Sequence, residues 1–430
     1  MLSVLARVAN DQPAPTEPTP PNAEEEPFDR SAFLCEFLDE ARHLDPDPYG
    51  GVAVLEEGLG ELYKCEPYAR SSAAAAAEQI VHSRIDQPRL DVSPAYDVVS
   101  GGIVSEAELR NLLDVYWRRI QPVGRVLDPE IHTEAYIRAT SALLTSTMLT
   151  IAAQSLPVSE HANALVARLE AHVDFLLGET GKQGFQSIEI CQALTLLCLF
   201  IGGHQIHRMW ELTAKAIAIA VELRLDSSPP PPWALAPSPH HSATPAALAR
   251  NAQRLWILVV DWDRACAFIR GRRPMIREPA YTSGAQLLEW SEHPDALGSD
   301  VHTAGCCALL DVVGRLQISA GRQLVRQSST FDFEAHRANV DRELDAWREA
   351  WLPRTKEQDV HRSMLDVEGM RLILLMMPYE YGILRGWSTA ATVAGRDVCL
   401  ATAVKILTRA LPIIAGTDPV LKVNSLYTYR

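Results

Sequence analysis

An all-α fold is what this sequence predicts: a large irregular multi-helix bundle, preceded by a disordered acidic and proline-rich tail and crossed by a proline-rich linker. Three observations lead there. Apolar residues recur three and four positions apart through most of residues 105–430. Helix start signals stand where those stripes begin. Alternating polar–apolar runs bounded by turn dipeptides, the mark of strands, are missing, as is any fixed-period repeat of the kind a solenoid needs.

Residues 1–30 read as the tail. Pro13, Pro15, Pro18, Pro20 and Pro21 lead into Glu24-Glu25-Glu26-Pro27. Prolines restrict the backbone and like charges repel, so little core can form there. Residues 31–104 read as a poorly ordered linker with short helices. One helix is expected from Ser31 to Ala41, with Phe33, Leu34 and Leu38 on one face. The run Ala73–Ala77 is either a helix, by propensity, or low-complexity linker.

The body is expected to begin at Ser105-Glu106-Ala107-Glu108, a capping box in which hydroxyl and carboxylate each satisfy an orphan N–H. Leu109, Leu112, Leu113, Tyr116 and Ile120 follow at helical spacing, and Pro122 is expected to end that helix. A single helix is expected over about 133–154. Another opens at Ser159, with Leu165, Leu169, Val173, Leu176 and Leu177 as its apolar stripe and Gly178 as its C-terminal cap. Residues 187–200 are apolar nearly all round, which predicts a central buried helix. An alanine-rich helix covers 208–223, a proline-rich surface loop 227–245, and a helix 246–268. An irregular stretch to Asp300 precedes helices over 304–325, 333–351, 364–384 and 398–411, with Pro378 expected to kink or split the third.

The chain has 430 residues and a formal net charge of -14. Phosphate-binding surfaces are clustered and cationic, and the densest basic spot here is only Arg270, Arg272 and Arg273. Binding DNA by this chain alone is therefore not expected. Eight cysteines include no CxxC pair and sit mostly in apolar runs, which reads as reduced core thiols. The longest apolar stretch, Ala193–Gly203, is well short of the roughly 20 residues of a membrane helix. A soluble cytosolic or nuclear protein without membrane partners is the expectation.

Three segments in order resemble the fungal-specific transcription factor domain, the middle homology region of fungal zinc-cluster transcription factors. The first runs Leu112-Leu113-Asp114-Val115-Tyr116-Trp117-Arg118-Arg119-Ile120-Gln121-Pro122-Val123, continued by Asp128-Pro129-Glu130-Ile131-His132. The second spans Met209 to Asp226. It carries Trp210, a small-residue helix, and Glu222-Leu223-Arg224-Leu225. The third and most specific is Arg254-Leu255-Trp256 through Asp263-Arg264, then Gly271-Arg272-Arg273-Pro274-Met275-Ile276. The overall flavour is nearest the secreted-protease-activator type.

The resemblance implies a nuclear regulatory domain that controls RNA polymerase II transcription through protein contacts. Its partners would be transcriptional co-regulators or a second copy of itself. DNA would be reached only through an N-terminal zinc cluster that this chain lacks. No cofactor is expected in the chain, because zinc would belong to that cluster. Its signature residues would be Trp210, Glu222, Arg254, Trp256, Asp263, Arg264, Gly271, Arg272 and Pro274. Two departures stand out. The family's Gly-Arg-Pro turn reads Gly-Arg-Arg-Pro here. The chain also stops at Arg430, where further helices are expected, so it reads as incomplete at its C-terminus.

Among these residues Asp263 is placed to pair with an arginine of the 271–274 turn, since a guanidinium fork suits a carboxylate. The structural reading is a salt link fixing helix to loop. The functional readings are an effector-sensing or partner-docking site and, last, catalysis. His204 and His207 have metal-ligand spacing but no evident third ligand. An all-α enzyme of the isoprenoid-synthase type would need aspartate-rich helix faces for magnesium, and none is seen. That enzyme and a stand-alone helical scaffold remain the alternative readings, and no enzymatic activity is expected.

Overall fold

The computed structural model describes residues 88–200, 206–235, 243–270, 272–277, 279–326, 331–384, 395–406 and 408. The tail, the expected helices at 31–41 and 73–77, His204, Gly271 and the end of the 398–411 helix lie outside the described residues. Among the described residues the fold is all-α. Its only β-pairing is a single bridge between Arg89 and Gln186.

Twelve α-helices are named here in chain order: α1 Glu106–Val115, α2 Gln121–Gly124, α3 Glu134–Thr140, α4 Ala142–Gln154, α5 Glu160–Gln183, α6 Ile188–Phe200, α7 Ile206–Glu222, α8 Pro245–Arg270, α9 Gly284–Ser291, α10 Asp300–Arg326, α11 Phe333–Trp351 and α12 Glu357–Leu384. Residues 395–406 are also helical. The packing is largely sequential: α5 on α4, α4 on α6, α6 on α7 and α8, and α8 on α10, with α9, α11 and α12 against α10. One large apolar core runs from Val98 to Leu374, and a small second cluster gathers Ala320, Leu324, Phe331, Phe333, Leu372 and Tyr381.

The capping box at Ser105 forms as expected, with Glu108 N–H on the Ser105 hydroxyl at 3.2 Å and Ser105 N–H on Glu108 Oε2 at 2.8 Å. Pro122 does not end the helical path. A π-helical turn, Tyr116–Ile120, links α1 to α2, and Pro122 sits in the first turn of α2. Gln121 N–H still reaches back five residues to Tyr116 O, so the wider π turn carries the helical path up to the proline. The stop comes at Arg125, which is left-handed at φ 54°.

The single helix expected over 133–154 is two. Ser141 is extended, its hydroxyl accepts from Leu144 N–H at 3.0 Å, and Asp91 Oδ2 accepts from Leu143 N–H at 2.7 Å. Two oxygen acceptors thus cap a fresh helix start inside what reads as one apolar stripe. Asp91 belongs to residues 88–104, which the sequence assigns to the linker. These residues pack on the body, with Val98 and Val104 buried.

Gly178 is not a cap. Helix α5 runs on to Gln183 and ends at Gly184, left-handed at φ 66°. The stretch before Asp300 holds α9, opened by a second capping box, Ser283 with Gln286. The proline-rich loop is partly docked: Pro232–Leu235 form a 3₁₀ turn with Ala234 buried.

Pro378 lies within a continuous α12. A proline cannot donate to the carbonyl four residues back, which is that of Leu374. His336 on α11 fills the vacancy: its Nε2–H donates to Leu374 O at 3.0 Å. The helix survives its proline because a neighbouring helix satisfies the orphaned carbonyl.

Candidate functional site

Helix α8 carries four of the nine signature residues, Arg254, Trp256, Asp263 and Arg264. It is wide enough in its apolar face to bury Leu255, Trp256, Val259 and Val260, yet it also buries charges. A buried charge is costly unless paired and hydrogen-bonded, and Arg250, Arg254 and Asp263 each have such partners.

Asp263, fully buried, reaches the loop that follows its own helix. Oδ1 accepts from Met275 N–H at 3.0 Å and Oδ2 from Ile276 N–H at 2.7 Å. The helix-to-loop link expected here therefore exists, but it runs to two main-chain amides where the sequence reading placed a turn arginine. Burial pushes the Asp263 carboxyl above its usual range, and the two amides oppose that shift. Arg272 and Pro274 are half-buried in this loop, and Arg272 N–H bonds to Ala267 O at 2.9 Å. Arg264 points to α10 instead. Its Nη1 donates to Cys307 O at 3.0 Å, and its Nη2 pairs with Asp311 Oδ1 at 3.1 Å.

Arg254 is 1% exposed and forks onto Asp300, Nε to Oδ1 at 2.6 Å and Nη2 to Oδ2 at 3.2 Å. One turn earlier Arg250 adds Nη2 to Asp300 Oδ2 at 2.9 Å and to Trp290 O at 2.7 Å. Its guanidinium lies 4.4 Å from the centre of the Trp290 ring, a cation–π contact. Asp300 itself is the first residue of α10 and is wholly buried. A carboxylate is favoured at a helix N-terminus, so one side chain serves the helix dipole and two guanidiniums at once.

The node continues toward α6. Arg254 Nη1 stands 4.0 Å from Asp128 Oδ2. Asp128 N–H donates to His132 Nδ1 at 3.0 Å, His132 Nε2–H to Gln192 Oε1 at 2.9 Å, and Gln192 Nε2–H to Asn251 Oδ1 at 3.2 Å. His132 Nδ1 also lies 2.8 Å from Asp128 O, and burial holds the basicity of this imidazole below the ordinary value against its hydrogen bonds to Asp128 and Gln192. Nearby, the buried Glu189 accepts from Tyr136 OH.

Of the remaining signature residues, Trp256 is buried and donates its indole N–H to Ala280 O at 3.2 Å. Trp210 is half-buried on α7, and Glu222 is exposed at the end of that helix. Neither belongs to the node. Sequence reading missed Arg250, Gln192, Asn251 and Asp300. A signal did exist for Gln192 and Glu189, polar residues inside a helix that is otherwise apolar all round. Asp300 gave none, because its importance lies in what packs over it.

Chemically, the node pairs mostly with itself, although Arg254 Nη1 is buried without a hydrogen-bond partner. Arg250 and Arg254 answer Asp300 and Asp128, and the arrangement joins α8, α10, the α9 end and the 125–132 loop. Among the described residues, no group of three or more His, Cys, Asp or Glu side chains is arranged to hold a metal ion. No described helix is long and apolar enough to cross a membrane.

With that geometry in hand, the chain compares with known proteins as follows. It is similar to Protein priB of Lentinula edodes, 22% identical over 287 residues, which are 66% of this chain and 44% of that protein. The matching region thus spans less than half of that relative. No family model matches, and no solved structure matches.

Proposed function

We propose that this chain is a regulatory module of a transcription factor of the fungal zinc-cluster type. It acts in the nucleus through contacts with co-regulators or a second copy of itself, while DNA is reached through a separate zinc-cluster module. The observation that carries this reading is that three segments resembling that family occur in order, and they adjoin in the fold. The first supplies the loop bearing Asp128 and His132. The second is α7, which packs on α8. The third is α8 with its following loop. Net charge of -14 fits a module whose DNA contacts are made by another part.

A module of this kind transfers its effect to whatever DNA-binding domain it is joined to. The full chain, fused to an unrelated DNA-binding domain, is expected to raise or lower a reporter relative to that domain alone. A fusion that is expressed and folded, yet leaves the reporter unchanged in both rich and minimal media, overturns the proposal.

A further inference from the structure

Two buried guanidiniums each leave one nitrogen without an acceptor among the described residues. Arg254 spends Nε and Nη2 on Asp300, and its Nη1 is sealed from water with Asp128 Oδ2 at 4.0 Å, beyond hydrogen-bond range. Arg125 spends Nε on Pro122 O at 2.8 Å and Nη2 on Asp359 Oδ1, and its Nη1 is sealed in the same way. Arg254 is 1% exposed and Arg125 8%. Buried donors are almost always satisfied, and a guanidinium cannot give up its proton to escape the need. The two side chains also belong to one closed circuit. Asp128, which faces Arg254, lies three residues after Arg125, and Arg125 holds Asp359 in the first turn of α12. Asp359 N–H bonds back to Lys356 O at 2.8 Å, and the Lys356 ammonium occupies the place a Cβ would take on Gly298. Next to Gly298, Leu297 N–H bonds to Asp300 Oδ2 at 3.0 Å, which returns the circuit to Arg254.

Around this circuit the buried charges balance, with Arg125, Arg250 and Arg254 against Asp128, Asp300 and Asp359. Lys356 adds a further cation at the exposed edge. Two open guanidinium nitrogens on a neutral background, with an ammonium at the entrance, match a small singly charged oxyanion. We infer that the circuit binds one such anion, a carboxylate or phosphate group, held by Arg125 Nη1 and Arg254 Nη1 and balanced by Lys356. An anion there ties α8, the 125–132 loop and the start of α12 together. The inference does not depend on the transcriptional reading.

The test is isothermal titration calorimetry of the full chain at pH 7 and fixed ionic strength, with acetate in one arm and inorganic phosphate in the other. A saturating heat at one anion per chain is expected, and the arm that shows it tells a carboxylate ligand from a phosphate one. Lys356→Gln, on the surface, should weaken that binding by roughly two- to fivefold, the worth of one solvent-exposed charge. The paired variant Arg125→Gln/Asp359→Asn strands no charge and should abolish it. No saturating heat in either arm overturns the inference. So does an affinity unchanged in Lys356→Gln, which places the anion elsewhere, or one that survives in a cooperatively melting Arg125→Gln/Asp359→Asn chain.

Discussion

Two sets of arginine–aspartate pairs tie helices together in different surroundings, one at the start of α10 and one between α11 and α12. At the first residue of α10, Asp300 and Arg254 have side chains 0% and 1% exposed. Toward the far end of α10, Ala320 and Leu324 enter the small second cluster. Between α11 and α12 the buried Arg371 pairs with Asp341 and, at 3.1 Å, with Asp345, whose side chains are 33% and 50% exposed. Water reaches the carboxylates of the second set, though not its arginine, and reaches neither side of the first. Breaking a buried pair strands a charge without solvent, whereas breaking an exposed pair returns both partners to water. The Asp300 end should therefore act as the last part to open, and the α11–α12 end as the first.

The sharpest way to break this comparison is Asp300→Ala. It leaves two guanidiniums buried against each other, and urea denaturation should report a loss of about 3–5 kcal/mol. A loss as small as that of an exposed pair would mean water already reaches the node. His336→Leu probes the second cluster. It removes the donor that satisfies Leu374 O beneath Pro378, and about 1–3 kcal/mol should be lost. Hydrogen exchange should then speed up in α12 before it does in α8.

Acidity separates the two regions less strongly. Burial lowers the basicity of both His132 and His336 from the ordinary 6.5. The unfolded chain therefore binds protons that the fold refuses, so stability is lost as pH drops below about 6.5. His132→Gln should flatten that slope in melting curves between pH 7 and 5. Asp261 works the other way. Its Oδ1 is sealed from water without a hydrogen bond, and burial, with Asp366 adding to it, raises its carboxyl to about 7 against Arg264. The fold keeps that proton where the unfolded chain has released it, so stability falls as pH rises from about 4 to 7. Asp261→Asn should accordingly raise the melting temperature more at pH 8 than at pH 5. The smallest effect is expected for Asp345→Asn, below about 1 kcal/mol, and 1 M salt should shrink it further.

Local signals in the sequence were read well where physics is local. The Ser105 and Ser159 caps, the buried α6 and the stripes of α7, α8 and α11 follow from spacing and cap chemistry alone. Errors arose where a distant group decides a local outcome. Ser141 starts a new helix partly because Asp91, some fifty residues upstream, caps it. Pro378 passes through a helix because His336 supplies a donor. The α9 capping box at Ser283 was legible and overlooked. The candidate site was half legible: Asp263 was singled out, but its partners are backbone amides, which carry no sequence letter.

By itself, then, the sequence determined that this protein is helical, where most helices lie and which faces turn inward, because period and propensity act within a few residues. Tertiary structure decided which charges could be buried. Arg250 and Arg254 are ordinary basic residues until Asp300 closes over them. Burial and pairing depend on partners far apart in the chain, and only packing brings those partners within a few ångströms.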